Sequence, residues 1–241
     1  KYPEFNRTMR LAINTNLGAK DDLVDKLVEK AKNIPDLDIY TSNESMNEHA
    51  EYIRDGLEWD VWINNIEKLW HAGGLTRFHM MCTINALCLE SLPEFLQLCV
   101  TMKEKYGRDF PTFTLNIMRF PSFQSAVVLP DDIRQKHKLR LETFLASYKN
   151  HPLQHEMECN QLQRLIDYID VVKTPHADSF ERDQLQVDFK RYYTQYDKRR
   201  GKDFRKTFPN LVEWYDSIPD SYVKPLSIEI INKQNSIFGS I

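Results

Sequence analysis

The sequence predicts an α/β protein built on a parallel sheet, and three observations carry that reading. Between Arg10 and Pro121, short apolar runs alternate with stretches of helical period, in the order strand, helix, strand, helix, strand, helix, strand. Strands separated by helices need crossover connections, which set them parallel in one sheet. The apolar runs also finish in small polar residues: Asn14-Thr15-Asn16, Ser42-Asn43-Glu44, Asn85 and Asn116. After Pro130 the alternation ceases and long charged helical patterns replace it.

The elements follow in order. An apolar run ending at Asn14 reads as the first strand. Asp21 to Lys32 puts Leu23, Val24, Leu27, Val28 and Ala31 on one helical face. Its aspartates sit at the positive end of the helix dipole and its lysines gather toward the negative end. Pro35 stops that helix, and Leu37 to Thr41 follows as a short buried strand. Trp59, Trp62, Ile63, Ile66, Leu69 and Trp70 mark a second helix closed by Gly73-Gly74. Phe78 to Ile84 is the third strand, leading into Asn85-Ala86-Leu87-Cys88. Ser91-Leu92-Pro93-Glu94 predicts a capping box before a helix that runs to Tyr106 and stops at Gly107. Thr112 to Met118 is the fourth strand. Beyond Pro130, helices are expected over Asp131–Tyr148, Asn160–Val172 and Phe180–Tyr196. The pattern divides the chain into 1–130, a sheet region; 131–220, a helical region; and 221–241, a tail whose Ile228-Glu229-Ile230-Ile231 suits an edge strand.

Bulk properties narrow the function. Lys and Arg total 32 against 35 Asp and Glu, a net charge of -3, so the chain as a whole is no polyanion binder. No apolar stretch approaches the roughly 20 residues that span a bilayer, and no signal peptide is visible. Four cysteines, Cys82, Cys88, Cys99 and Cys159, make no disulfide framework, which points to the reducing cytoplasm. The chain starts at Lys1 instead of Met, which fits a segment lying upstream.

In parallel α/β sheets ligands bind beyond the carboxyl ends of the strands. Thr15, Asn16, Ser42, Asn43, Glu44, Asn85 and Asn116 all fall at or near such ends, on one expected rim. Two readings stand together: a polar site on that rim, or local caps for the helices that follow.

The order of several segments resembles radical S-adenosylmethionine enzymes. Ile13-Asn14-Thr15-Asn16-Leu17-Gly18 looks like the family's "TNG/TNL" segment, and Tyr40-Thr41-Ser42-Asn43-Glu44-Ser45 stands where a serine-containing "SxDG" turn is usual. Ala50 to Gly56, then Trp59 and Asn64-Asn65-Ile66, is similar to the family's stretch of Arg-x-Gly followed by Trp and Asn-Ile. Ile84-Asn85-Ala86-Leu87, Leu115-Asn116 through Pro121, and Leu129-Pro130 complete the series. The subgroup most resembled is the twitch domain-containing radical SAM proteins, over roughly Tyr2 to Ser217. The resemblance implies an incomplete, TIM-like parallel βα barrel with a helical C-terminal region, in which four of six strands are present.

That family binds a 4Fe-4S cluster through CxxxCxxC and holds the cofactor's amino group with a GGEP segment. Neither motif occurs here, and the cysteine spacings offer no convergent loop. Both motifs precede the "TNG" strand in the family, so the first two βα units are expected outside this sequence. By resemblance, Thr15 and Asn16 line the cofactor side of the rim, and Ser42 contacts the S-adenosylmethionine ribose or carboxylate. Glu44 replaces the usual Asp, Arg54 pairs with the cofactor carboxylate, and Asn85 and Asn116 face cofactor or substrate. The function implied is the C-terminal part of a radical S-adenosylmethionine enzyme, inactive as this chain stands. Its substrate is not legible in the sequence. The alternative is a non-catalytic binding module that keeps the partial barrel.

Two further signals remain. Lys190 to Lys206 (KRYYTQYDKRRGKDFRK) interleaves eight basic residues with Tyr192, Tyr193, Tyr196 and Phe204, as single-stranded nucleic acid requires. The helical spacing of Leu185, Phe189, Tyr192, Tyr193 and Tyr196 equally predicts core. His151 and His155 have i, i+4 spacing, but Pro152 lies between them and no HExxH glutamate is present, which argues against a metal site. P-loop, GxGxxG and GxSxG motifs are absent. Finally, a sheet that begins at the first strand would leave an open edge. Its cover is expected from an upstream segment, a partner subunit or the Leu226–Ile231 tail.

Overall fold

The structure is a computed structural model that describes residues 10–19, 22–73, 75–171 and 179–221. β1 (Arg10–Asn14), β2 (Asp36–Thr41), β3 (Arg77–Ile84) and β4 (Thr112–Ile117) form one parallel sheet in the order β1-β2-β3-β4. Between them run α1 (Asp22–Ala31), α2 (Asn47–Ile53), α3 (Trp59–Ala72) and α4 (Leu92–Tyr106). α5 (Asp131–Tyr148), α6 (Glu156–Val171), α7 (Ser179–Arg200), α8 (Phe204–Thr207) and α9 (Val212–Ser217) follow. The predicted α/β class with a parallel sheet is what is observed, and every expected strand of the sheet region is present. Among the described residues no helix is long and apolar enough to cross a membrane.

Side chains alternate across a strand, so the register defines two faces. One carries Leu37, Ile39, Phe78, Met80, Cys82, Ile84, Phe113 and Leu115, all buried. α3 and α4 lie on it: Trp62 Nε1 donates to Thr41 Oγ1 at 3.3 Å, and Lys103 Nζ stands 5.6 Å from the centre of the Phe113 ring. The other face carries Arg10, Asp38, Tyr40, Arg77, His79, Met81, Thr83, Thr114 and Asn116, mostly polar and half exposed. One cluster of buried apolar residues runs from Leu17 to Ile218 and crosses Pro130 without a break.

The two edges of the sheet differ. β1 is exposed along most of its length, including Leu11, and no described strand lies beyond it. Next to it, Leu23 of α1 is 61% exposed, although its helical position predicts an inward face. α1 packs chiefly on α3, and Leu23 is turned away from that contact.

At β4, by contrast, α6 runs alongside the strand in the same direction and meets its outward backbone groups with side chains. Glu158 Oε1 accepts from Phe113 N at 2.8 Å, Gln161 Oε1 accepts from Leu115 N, and Arg164 Nη2 donates to Leu115 O at 2.7 Å. Arg119 then lies over the Tyr168 ring. Spacing of three residues brings these α6 side chains onto one helical face. Edge groups that would otherwise be unpaired are thereby satisfied without a fifth strand.

Glu158 is fully buried, and it also accepts two hydrogen bonds from Lys103 Nζ (2.8 and 2.9 Å) and one from the Tyr148 hydroxyl. Burial pulls the Lys103 ammonium below its ordinary pKa, and the Glu158 charge opposes that pull. α7 to α9 fold back over α2 through an aromatic cluster in which Tyr52 meets Tyr193, Tyr196, Phe204 and Phe208.

Some expectations need correction. Ser91 is the N-cap residue of α4, but its side chain makes no cap hydrogen bond; its Oγ accepts from Met46 N at 3.1 Å instead. Glu94, the other half of the expected capping box, pairs with Arg140 on α5. A tertiary partner outcompetes the local one at both positions. α2 was not anticipated: seven residues are too few to show a period, and it starts without a side-chain cap. α6 begins at Glu156 and α7 extends to Arg200, both longer than the sequence pattern. The tail over Leu226–Ile231, a candidate cover for the β1 edge, lies outside the described residues.

Removing one partner of a buried ion pair strands the other charge. Lys103→Met is expected to lower unfolding free energy by about 3–5 kcal/mol, and Tyr148→Phe by about 1.5–3 kcal/mol. Urea midpoints measure both. A Lys103→Met cost no larger than that of an exposed α5 substitution would show the pair to be dispensable.

Candidate functional site

The polar residues at the strand ends are built from local turns. After β1, Thr15 Oγ1 accepts from Leu17 N at 3.1 Å, and Asn16 Oδ1 accepts from Gly18 N at 3.1 Å. Leu17 is buried in the left-handed region at φ 50°, and Asn65 of α3 holds the turn by donating to Leu17 O and Ala19 O. After β2, Asn43 Oδ1 accepts from Glu44 N at 2.8 Å and Ser45 N at 3.3 Å. After β3, Asn85 Oδ1 accepts from Leu87 N at 2.9 Å and Cys88 N at 3.0 Å. At each of these ends the side chains close local turns, and α2 and α4 that follow start without a side-chain cap, so the capping reading does not describe them.

They are not the whole story at β2. Glu44 is buried; its Oε2 accepts from Thr83 N at 3.2 Å and pairs with Arg54 Nη2. Burial raises the Glu44 carboxyl above its usual range, against the pull of Arg54 and the Thr83 amide. Arg54, which closes α2, therefore has an internal carboxylate beside it. Three buried polar atoms on this segment have no hydrogen-bond partner: Asn43 Nδ2, Ser45 Oγ and Arg54 Nε. Buried polar groups are rarely left so, and a water or a ligand is the ordinary partner of such an atom; Asp36, His79, Gln135, His137 and Trp214 each carry one elsewhere.

The structure gathers Glu44, Arg54 and Asn85 around the end of β3, and Asn116, exposed on β4, is in register with Thr83. Ser42 is half buried just past β2. Thr15 and Asn16 stand at the far end of the same rim, where Thr15 N donates to Tyr40 O at 2.9 Å. Ser45 and the Thr83 amide were not singled out in the sequence; a serine in a polar run and a backbone group carry no distinguishing signal there. Also unanticipated is a pair on the polar face. Tyr40 stacks on His79 at 4.4 Å, with His79 Nδ1 2.5 Å from Thr112 Oγ1. Strand alternation was the signal available for it.

The cysteines do not suit an iron-sulfur cluster. Cys82 on β3, Cys88 in the turn after it and Cys99 on α4 are wholly buried in the core, where burial raises each thiol above its ordinary pKa. Cluster ligation needs thiolates converging on one core, and no group of metal-binding side chains occurs among the described residues. The unpartnered Asn43, Ser45 and Arg54 atoms are each able to donate a hydrogen bond.

Along Lys190–Lys206 the two signals separate. Tyr193 and Phe204 are buried and serve the core, while Tyr196 is half-buried with its hydroxyl donating to Tyr52 O at 2.7 Å. Tyr192 is 41% exposed. His151 Nε2 meets Glu104 at 3.2 Å and His155 Nε2 meets Asp109 at 3.3 Å, each a separate surface pair. No protein-family model matches the chain, and searches of curated proteins and of solved structures find no match either.

Two buried carboxylates are expected to titrate in opposite directions from the ordinary 4.5. Burial raises Glu90, but hydrogen bonds from His137 and Asn210 outweigh it and hold it at about 2. Its stabilising contribution is thus present above 4.5 and lost as pH falls toward 2. Glu44, raised, opposes folding while ionised, and that penalty disappears as pH falls through its folded value. Carboxyl-carbon NMR titration of Glu44→Gln and Glu90→Gln against the unaltered chain assigns both; a Glu44 resonance titrating below 4.5 would contradict the buried pair.

Proposed function

We propose that this chain is the carboxyl-terminal part of a radical S-adenosylmethionine enzyme, folded as four consecutive strands of an incomplete TIM-like βα barrel. The observation that carries the reading is the set of unpartnered donors, Asn43 Nδ2, Ser45 Oγ and Arg54 Nε, buried at the carboxyl end of a sequential parallel sheet. They fall on the segment that resembles the family's serine-containing turn and Arg-x-Gly stretch. The asymmetry of the sheet agrees with it: β4 is closed by α6, while β1 has no neighbour among the described residues on the side where earlier βα units would lie.

In this reading the cofactor supplies a 5'-deoxyadenosyl radical after reductive cleavage at a cluster held outside this sequence. The chain's own residues bind and orient. Ser42, Asn43 and Ser45 donate to hydroxyl or carboxylate oxygens, and Arg54 offers Nε while Nη2 stays on Glu44. Glu44 keeps the guanidinium from turning away and ties it to β3 through the Thr83 amide. Thr15, Asn16, Asn85 and Asn116 complete the rim toward cofactor or substrate. The core position of Cys82, Cys88 and Cys99 favours a second reading, a cofactor-binding module without its own cluster.

Three measurements separate these. Anaerobic reconstitution of this polypeptide is expected to leave it without a 4Fe-4S cluster; a full complement lost in Cys82→Ala and Cys88→Ala would overturn the assignment of the thiols. Calorimetric titration with S-adenosylmethionine is expected to show binding weakened about tenfold or more by Ser45→Ala with Asn43→Ala, the loss of two hydrogen bonds. A CxxxCxxC upstream in the same reading frame, with dithionite-dependent release of 5'-deoxyadenosine by the longer protein, is expected for the enzyme. Binding without that motif leaves the non-catalytic module.

A further inference from the structure

The solvent side of α7 has a feature that the rim chemistry does not use. Tyr192, Gln195, Tyr196, Arg199 and Arg200, spaced at i, i+3, i+4, i+7 and i+8, line a cleft of about 180 Å³. The rings of Tyr192 and Tyr196 lie nearly parallel, 20° apart with centroids 6.1 Å from each other. Tyr196 is fixed by its hydrogen bond to Tyr52 O, and Phe123 of the segment after β4 packs against Tyr192 at 5.2 Å. Three residues before Phe123, Phe120 is 88% exposed, beside the exposed Arg119.

The charge around the cleft is one-sided. Lys198 and Arg199 are exposed and make no ion pair among the described residues. Arg200 alone of the cleft cations meets a carboxylate, Asp55 at 2.9 Å. Of the two acids in Lys190–Lys206, Asp197 is turned inward, accepting from the Tyr52 hydroxyl at 2.6 Å and from Phe204 N at 2.9 Å. Asp203 caps α8. A net charge of -3 for the chain thus hides a local surplus of cations on this helix.

We propose that this surface, Tyr192 and Tyr196 with Arg199 and Arg200, binds single-stranded nucleic acid. Unstacked bases have flat faces that fit exposed rings, and the phosphates between them need cations within a few ångströms. An acidic peptide would use the cations and gain nothing from the rings. A duplex would keep its bases stacked on one another. The surface borders α2, where Tyr196 meets Tyr52 and Arg200 meets Asp55, but it shares no residue with Asn43, Ser45 and Arg54.

Fluorescence anisotropy of a labelled twelve-residue oligouridine or oligothymidine tests it. Saturable binding at low salt is expected, weaker for a duplex of equal length. Tyr192→Ala should weaken it about tenfold. Arg199→Ala should flatten the dependence of log Kd on log salt by about 0.7 for the phosphate that the variant leaves unneutralised. Lys32→Ala, after α1, should change nothing, and circular dichroism checks that each variant is folded. The proposal is overturned if no binding occurs below about 100 µM, the weak end of non-specific affinity. It is equally overturned if Tyr192→Ala binds like the parent chain, or if polyglutamate displaces the oligonucleotide at equal charge concentration.

Discussion

A single buried carboxylate holds four elements together. Glu158 on α6 accepts hydrogen bonds from Lys103 on α4, from Tyr148 on α5 and from the Phe113 amide of β4. An unpaired carboxylate at that depth would cost several kcal/mol, so the three donors must be in place together. They fix where α6 lies, and α6 then fixes where the sheet stops. Gln161 and Arg164 extend the same arrangement along the strand. On this side the described sheet ends at β4 because a helix occupies the position in which a further strand would pair.

From that constraint the rest follows outward. With β4 closed on one side, the strands run back to β1 in sequential order, and all their carboxyl ends point to one rim. α2 and the turns after β1 and β3 cover part of it, and α7 to α9 cover α2 in turn. The Glu44–Arg54 pair sits beneath this cover and is tied to β3 by one amide. The unpartnered Asn43, Ser45 and Arg54 atoms are tolerable only if the rim has another occupant, solvent or ligand.

Much of the fold was legible because its signals are local. The apolar runs at Leu37–Thr41 and Phe78–Ile84, Gly73 after α3 and Gly107 after α4 are each read within a few residues. What escaped depends on distance. Ser91 and Glu94 spell a capping box, yet Met46 and Arg140, remote in sequence, claim both side chains. The role of α6 was invisible because Glu158, Gln161 and Arg164 look like the polar side of any surface helix. Among the expected site residues, Glu44, Arg54 and Asn85 do come together, but the Glu44–Arg54 contact is made by burial and not by a motif. Tyr192 and Tyr193 are neighbours of the same type, and only packing separates the exposed ring from the buried one.

The contacts that hold α2 span unusual stretches of chain. The Tyr52 hydroxyl reaches Asp197 across 145 residues, the Tyr196 hydroxyl returns to Tyr52 O across 144, and Lys202 Nζ reaches Glu51 O across 151. Closing loops of that length carries an entropic penalty that must be met before the contact gives anything back. During synthesis, β1 to β4 leave the ribosome long before α7 exists. The bonds that join Glu51 and Tyr52 to the later helices therefore become available only once those helices exist, whereas Arg54, Glu44 and the Thr83 amide all lie in the earlier segment.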